Sequence, residues 1–89
     1  MKIMAVCGHG LGSSFMMEMN IKKALVKLGI EAEVGHTDLA SVTPNEADVF
    51  VMARDIAESS SVSPDKIVVV TNIVSAAEFE QKLGEYFNR

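Results

Sequence analysis

The fold of this chain is decided close to its start, by the segment KIMAVCGHGLGSSF at residues 2–15. The segment opens with a short apolar run, as a buried strand does, and after Cys7 it has glycine at alternate positions. Two serines then lead into residues 13–29, where apolar side chains recur at steps of three or four, the spacing of one helix face. The segment therefore predicts a strand, a tight loop and a helix in direct succession.

The remaining sequence continues the alternation of strands and helices. Two compact β-branched runs are typical of strands buried on both faces, and one alternating run is typical of an edge strand. The predicted elements are strands at 31–37, 48–53 and 66–70, a connector at 38–47, a short helix and serine-rich turn at 54–65, and a final helix at 75–89 capped by Ser75. We therefore predict one α/β domain over residues 1–89, with a four-stranded parallel sheet in the order 2-1-3-4 between two layers of helices.

Cys7 lies where such a sheet binds ligands. In the order 2-1-3-4 the winding direction reverses between strands one and three, and ligands bind at the carboxyl ends of the strands there. A loop of small residues that leads into a helix presents several backbone N–H groups to one point, which binds oxyanions and lowers the pKa of a cysteine. We therefore predict that Cys7 is a nucleophile that can carry a phosphoryl group. The predicted phosphate-binding residues are Gly8, His9, Gly10, Leu11, Gly12, Ser13 and Ser14.

Other interpretations of the cysteine loop fit less well. A structural cysteine beside a tight turn is the simplest, but the glycine loop and the helix start after Cys7 favour a functional one. A Walker loop needs a lysine that this loop lacks, and Gly8, Gly10 and Gly12 are one residue short of the dinucleotide-binding spacing. The closest alternative is an enzyme like the low-molecular-weight tyrosine phosphatases or arsenate reductases, whose loop is Cys-x5-Arg-Ser. Ser13 stands where their arginine would clamp the transition-state charge, which favours a carrier over a hydrolase.

Composition excludes several classes of function. Twelve acidic residues against eight basic ones give a formal net charge of −4, and the scattered basic residues argue against nucleic-acid binding. No apolar run approaches the roughly 20 residues that span a bilayer, and the start lacks a signal-peptide pattern, so we expect a cytoplasmic protein without membrane insertion. A single cysteine excludes a Cys-x-x-Cys pair and a multi-cysteine zinc site. No spacing supports a metal site of Cys7, His9 and His36, and no cofactor is expected.

Three segments of the chain are similar to segments of a known family: VCGHGLGSSFMMEM at 6–19, ARDIAESSSV at 53–62 and TNIVSAAEFEQKL at 71–83. The chain resembles the IIB components of the bacterial phosphoenolpyruvate-dependent sugar phosphotransferase system. Within them it is nearest to the ascorbate-specific members of the lactose/ascorbate type. The first segment is similar to their cysteine loop and methionine-rich helix, and the others to their loop after strand three and the start of their final helix. The likeness covers essentially the whole chain and implies a Rossmann-like, flavodoxin-like fold.

The resemblance implies a phosphotransferase that acts through a phosphocysteine. A phosphohistidine on a IIA protein or domain would transfer its phosphoryl group to Cys7. Cys7 would then pass the group to a sugar or sugar acid, ascorbate in the nearest group, bound by the membrane-embedded IIC transporter. The implied protein is a single phosphocarrier domain that is cytoplasmic and associates peripherally with the transporter.

Three polar residues outside the predicted phosphate-binding set are also considered: His9, Arg54 and His36. His9 is either a proton shuttle for the thiol or a solvated loop residue, and the solvated position is favoured. Arg54 departs from the small polar residue expected there, and it either contacts the phosphoryl group or pairs at the surface with Asp55 or Glu58, which is favoured. His36 falls on the apolar face of an edge strand, where we expect a half-buried structural residue.

The first helix carries a second apolar stripe opposite its core-facing one. Phe15, Met19 and Val26 fall on this stripe, and Lys22 and Lys23 flank it. Part of the stripe is expected to pack against the final helix, which lies on the same side of the sheet. The exposed remainder is predicted to dock IIA or IIC, because methionines adapt to more than one partner surface.

Overall fold

The computed structural model describes residues 1–8 and 13–88. Its elements are β1 (Lys2–Cys7), α1 (Ser13–Leu28), β2 (Glu33–Asp38), β3 (Val49–Ala53), α2 (Arg54–Ser59), a 3-10 turn (Pro64–Lys66), β4 (Ile67–Val70) and α3 (Ala76–Phe87). Every predicted strand and helix is present, with ends within two residues of the predicted bounds. The predicted connector after β2 forms turns, and the serine-rich segment after α2 leads into the 3-10 turn.

The end of α1 is set by Gly29, whose φ of 71° is a left-handed conformation that favours glycine. The Gly29 N–H donates to the Val26 carbonyl at 3.3 Å, and the Ile30 N–H donates to the Leu25 carbonyl at 3.0 Å. These two bonds form a Schellman motif, which satisfies carbonyl groups that the last turn of a helix leaves open.

All four strands are parallel and lie in the order β2-β1-β3-β4. Cys7 at the end of β1 is level with Asp38 of β2, and Val6 is level with Met52 of β3. The carboxyl ends of β1, β2 and β3 therefore meet at one edge of the sheet. The predicted strand order, with β1 inside the sheet, is confirmed.

Apolar side chains cover both faces of the sheet, because β1 directs alternate residues to opposite sides. The first core lies under α1 and α3 and includes Ile3, Ala5, Cys7, Met17, Ile21, Leu25, Phe79 and Leu83. The second core lies on the α2 side and includes Met4, Val6, Phe50, Met52 and Val62, with Ile56 packed against it. The sheet is thus the middle layer of three, and the first and last helices share one side as predicted.

The helices are short. α1 has 16 residues, α3 has 12 and α2 has 6. At 1.5 Å per residue, α1 is about 24 Å long. Within residues 1–8 and 13–88, no helix has the length and hydropathy that a membrane span requires.

Candidate functional site

Cys7 is the last residue of β1 and lies at the carboxyl edge of the sheet. Its side chain is buried, with 6% of its surface exposed, and belongs to the first core. Its carbonyl accepts a hydrogen bond of 2.9 Å from the N–H of Leu39, which ties the end of β1 to the chain leaving β2. The thiol therefore lies on a fixed strand end, at the predicted reversal of winding between β1 and β3.

The loop after Cys7 is described at its two ends. Gly8 packs against α2: a methyl group placed on its Cα would lie 3.0 Å from Cδ1 of Ile56. At the other end, the backbone of Ser13 begins α1. The phosphate-binding roles predicted for His9, Gly10, Leu11 and Gly12, and for the side chains of Ser13 and Ser14, concern atoms outside the described residues.

Arg54 is the first residue of α2 and directly follows β3. Its side chain is exposed and borders a shallow hollow of about 320 Å³, which Ala53, Asp55, Glu58 and Thr71 also line. In the described part of the chain, no ion pair joins Arg54 to Asp55 or Glu58, so the surface pairing favoured from the sequence is not found. Arg54 and Asp55 are consecutive in a helix, so their side chains point about 100° apart. Arg54 and Glu58 are four residues apart, but a cation that precedes the carboxylate is the weaker pairing orientation.

The loop after β4 is held by Glu78, a residue for which the sequence prediction gave no role. One carboxylate oxygen accepts bonds from the N–H and hydroxyl of Thr71 at 2.6 and 2.9 Å, and the other accepts from the N–H of Asn72 at 2.7 Å. The bond from the Thr71 N–H is the main cause that lowers the pKa of Glu78. Ser75 caps α3 as predicted, accepting from the Glu78 N–H at 3.3 Å. The spacing Ser-x-x-Glu is a capping-box pattern and is the signal that identifies Glu78 from sequence.

The same loop is joined to α1. The buried side chain of Asn20 donates from Nδ2 to the carbonyl of Ile73 at 2.9 Å. Together, Glu78 and Asn20 fix residues 71–75 between the end of β4 and the middle of α1. The loop therefore borders the carboxyl edge of the sheet on the α3 side.

A charged cluster lies between α1 and β2. Glu18 accepts from Nδ1 of His36 at 2.6 Å and from Nζ of Lys22 at 2.9 Å, and the bond to His36 is the main cause that lowers the pKa of Glu18. The ring of Phe15 meets the ring of His36 edge to face, with centroids 6.2 Å apart. The His36 side chain is 45% exposed, so the expected half-buried position is wrong, although Glu18 of α1 holds its ring. Sequence reasoning missed Glu18, because no local pattern links a helix residue to a strand 18 positions later.

The predicted docking stripe of α1 is exposed. Phe15, Met19 and Val26 are 55%, 45% and 81% exposed, and the neighbouring Met16 is also exposed. Packing of Phe15 and Met19 beneath α3 is therefore not found. Val26 instead borders a groove of about 430 Å³ between α1 and α3, which does not include Cys7.

Among the described residues, no group of three His, Cys, Asp or Glu side chains is placed to hold a metal ion. Cys7 and His36 lie on adjacent strands, yet the register pairs His36 with Ala5, two residues before the end of β1. The described charged groups of this edge include Asp38, which is level with Cys7, and Arg54, Asp55 and Glu58 of α2.

Comparison with known proteins identifies the family. A family model described as "PTS system, Lactose/Cellobiose specific IIB subunit" matches residues 2–85. The chain belongs to this IIB family. The resemblance seen in the sequence is thereby confirmed, and the protein is a component of a phosphotransferase system (PTS).

Curated relatives of this IIB protein include two named "Ascorbate-specific PTS system EIIB component". The one from Salmonella choleraesuis is 36% identical over 87 residues, and the one from Escherichia coli O157:H7 is 34% identical over the same length. Each alignment covers 94% of this chain and 86% of the relative. The likeness therefore extends through the cysteine loop, the sheet and the final helix.

Two solved structures share the fold of this IIB protein. The lactose-specific IIB domain of Streptococcus pneumoniae superposes with a TM-score of 0.58 at 13% identity. A low-molecular-weight protein tyrosine phosphatase from Bacillus subtilis superposes with a TM-score of 0.55 at 16% identity. Each comparison covers 99% of this chain and 91% of the other. At such identities the likeness shows the fold alone, and it confirms the predicted flavodoxin-like architecture.

Proposed function

We propose that this IIB protein is a phosphocarrier in which Cys7 accepts a phosphoryl group from a phosphohistidine of IIA and passes it to a sugar or sugar acid held by IIC. The observation that carries the proposal is the position of Cys7, the only thiol of the chain, at the end of β1 between the start of α1 and α2. Ascorbate is the proposed acceptor, because the curated relatives at 34–36% identity are named for it.

Two transfers make up the proposed reaction. In the first, the Cys7 thiolate attacks phosphorus, and an S–P bond forms while the P–N bond breaks and the donor imidazole keeps the electron pair. In the second, a sugar hydroxyl attacks phosphorus, an O–P bond forms, and the sulfur leaves as a thiolate while the hydroxyl proton passes to a base on the acceptor side. The helix dipole and N–H groups at the start of α1 favour the negative charge at this point.

A hydrolase is the second candidate, since a tyrosine phosphatase shares the fold. Ser13 occupies the position where the phosphatase loop has its arginine. Without that clamp the transition-state charge is less well stabilised for attack by water. A carrier benefits from slow hydrolysis, because the phosphoryl group must persist on Cys7 until the acceptor arrives.

The proposed partner on α1 is IIA. Phe15 and Met19 form an exposed apolar surface on the first turns of α1, immediately after the cysteine loop. A donor imidazole must approach the sulfur in line, so the donor surface must cover these turns. Lys22 and Lys23, both exposed, border this surface and fit an acidic rim on IIA. The carrier is proposed to work in the cytoplasm, peripherally associated with IIC.

Phosphorylation of Cys7 is the direct test. With purified phosphorylated IIA, the wild-type chain should take up one phosphoryl group, and Cys7→Ser should fold normally and take up none. Mass spectrometry gives the stoichiometry, and circular dichroism checks the fold. The proposal would be overturned by a wild-type chain that stays unlabelled, or by repeated Cys7-dependent turnover of an aryl phosphate.

A further inference from the structure

The start of α2 lies beside the cysteine. Strands β1 and β3 are neighbours with Val6 level with Met52, so the next residues along the two strands are Cys7 and Ala53, and Arg54 follows. Neighbouring strands are about 4.8 Å apart. A methyl group built on Gly8 would lie 3.0 Å from Cδ1 of Ile56, so the first turn of α2 lies close to the first residue after the cysteine. Arg54 therefore follows the strand end that adjoins Cys7, and its exposed side chain lines hollows that it shares with Val69 and Thr71 at the end of β4.

The charge of Arg54 faces solvent rather than a carboxylate. Lys2, Lys22 and Lys27 each pair with a glutamate, at 3.4, 2.9 and 3.7 Å respectively, whereas no ion pair is found in the described residues for Lys23, Lys66 or Lys82. Within the residues described, Arg54 has no such pairing, although Asp55 and Glu58 border the same hollow. Those two carboxylates would repel a phosphoryl dianion at this edge. A guanidinium beside them offsets that repulsion and offers a planar fork of donors that matches phosphate oxygens.

We propose that Arg54 donates hydrogen bonds to the phosphoryl group while Cys7 carries it, an inference that rests on the proposed phosphocarrier function. The S–P and P–N or P–O bond changes are those of the two transfers above. Arg54 stays protonated throughout, so it adds charge stabilisation and exchanges no proton. Arg54, at the end of β3, thus supplies the cation that binds the phosphoryl group. In the phosphatase loop that cation is the arginine at the position where this chain has Ser13.

Phosphorus NMR of the phosphorylated chain tests this contact without any partner present. A cation beside the phosphoryl group favours its dianion and lowers the pH midpoint of its second ionisation. Arg54→Gln should therefore raise that midpoint, and Arg54→Lys should restore part of the difference. Lys2→Gln is the matched control, because it removes the same charge at the opposite end of β1 and should leave the midpoint unchanged.

Transfer from phosphorylated IIA supplies the second measurement. At saturating IIA, we expect Arg54→Gln to lower the rate of Cys7 phosphorylation about tenfold, the loss of one charge-assisted hydrogen bond in the transition state. Arg54→Lys should recover part of the rate, and Lys2→Gln should match the wild type. Circular dichroism of the exposed-site variants confirms that they are folded.

The outcomes separate this inference from the carrier function. If the wild type is phosphorylated on Cys7 and Arg54→Gln has the same midpoint and rate, the Arg54 contact is wrong and the carrier function stands. If Arg54→Gln changes only KM for IIA, and high salt removes the change, Arg54 binds the partner and the inference is again wrong. A wild-type chain that is never phosphorylated overturns the carrier function and this inference together.

Discussion

At the residue scale, Glu18 connects the predicted docking surface to the sheet. Its two oxygens are held by His36 and Lys22, and the ring of Phe15 stands against the ring of His36. The Glu18 side chain is 12% exposed between α1 and β2, whereas Lys22 and His36 are 57% and 45% exposed, so the pairs are partly screened by water. Glu18 therefore holds His36, and the exposed ring of Phe15 packs against His36. No catalytic role is proposed for Glu18 itself.

The stabilising effect of Glu18 should depend on pH. The hydrogen bond from His36 lowers its pKa below the ordinary value of 4.5, with Lys22 adding to the effect. A carboxyl with a lowered folded-state pKa stabilises the fold above its unfolded-state pKa and loses that contribution as pH falls through the folded-state value. We expect Glu18→Gln to lower the free energy of unfolding by about 1 kcal/mol near neutral pH, and the difference to vanish in acid. Urea unfolding over a pH series measures both quantities.

Glu31→Gln provides the comparison for this prediction. Glu31 is exposed beyond the end of α1, so its removal should change the free energy of unfolding little at any pH. Equal stability of Glu18→Gln and wild type at neutral pH would contradict the structural role of Glu18. A difference that persists unchanged in acid would show that Glu18 acts through packing and not through its charge.

At the element scale, α1 uses two of its faces for different purposes. Met17, Ile21 and Leu25 on one face are buried in the first core. The opposite face leaves Phe15 and Met19 half exposed. A helix that only packed against the sheet would place polar side chains on its outer face. The exposed apolar residues are therefore the feature that the proposed IIA contact explains.

The IIA contact can be tested with two variants of α1. Phe15→Ser combined with Met19→Ser should slow phosphoryl transfer from IIA at least tenfold, because the donor surface is proposed to cover both side chains. The free energy of unfolding should fall by only about 1 kcal/mol, as for substitutions outside a core. Val26→Ser is the control, since Val26 is 81% exposed on the same helix and lies about 10 Å beyond Met19 along its axis. Stopped-flow transfer and urea unfolding are measured together.

Normal transfer by the double variant would contradict docking of IIA at this surface. An equal loss of rate in Val26→Ser would contradict a contact limited to the first turns of α1. Slow onward transfer to the IIC-bound sugar, with normal transfer from IIA, would assign the surface to IIC instead.

The elements were predictable from sequence, and several of their contacts were not. Buried runs such as 49–53 and the capped ends at Gly29 and Ser75 are local signals, because each depends on a few consecutive residues. The pairing of Glu18 with His36 depends on how α1 crosses β2, which no run of residues encodes. The position of Cys7 was predictable because strand order and winding follow from the succession of elements.

At the scale of the whole molecule, the sheet separates two cores that share β1. Alternate residues of β1 enter the first and the second core, and Cys7 at its end belongs to the first. A disturbance in either core therefore reaches the strand that carries the thiol. Small domains of this size usually unfold in one cooperative step. We infer that the described residues form a single cooperative unit.

Two methionines allow this inference to be tested with matched substitutions. Met17 of the first core and Met52 of the second are each fully buried, so replacing either with alanine should cost about 2–5 kcal/mol of unfolding free energy. Met16→Ala is the control, because Met16 is 43% exposed and should change stability by no more than about 0.5 kcal/mol. Urea unfolding is followed by far-ultraviolet circular dichroism and by the fluorescence of Tyr86, which packs against the first core. In both core variants the two probes should report the same lowered midpoint, because β1 transmits the loss from one core to the other. If Met52→Ala lowered the midpoint seen by circular dichroism and left the Tyr86 fluorescence at the wild-type midpoint, the two cores would unfold separately.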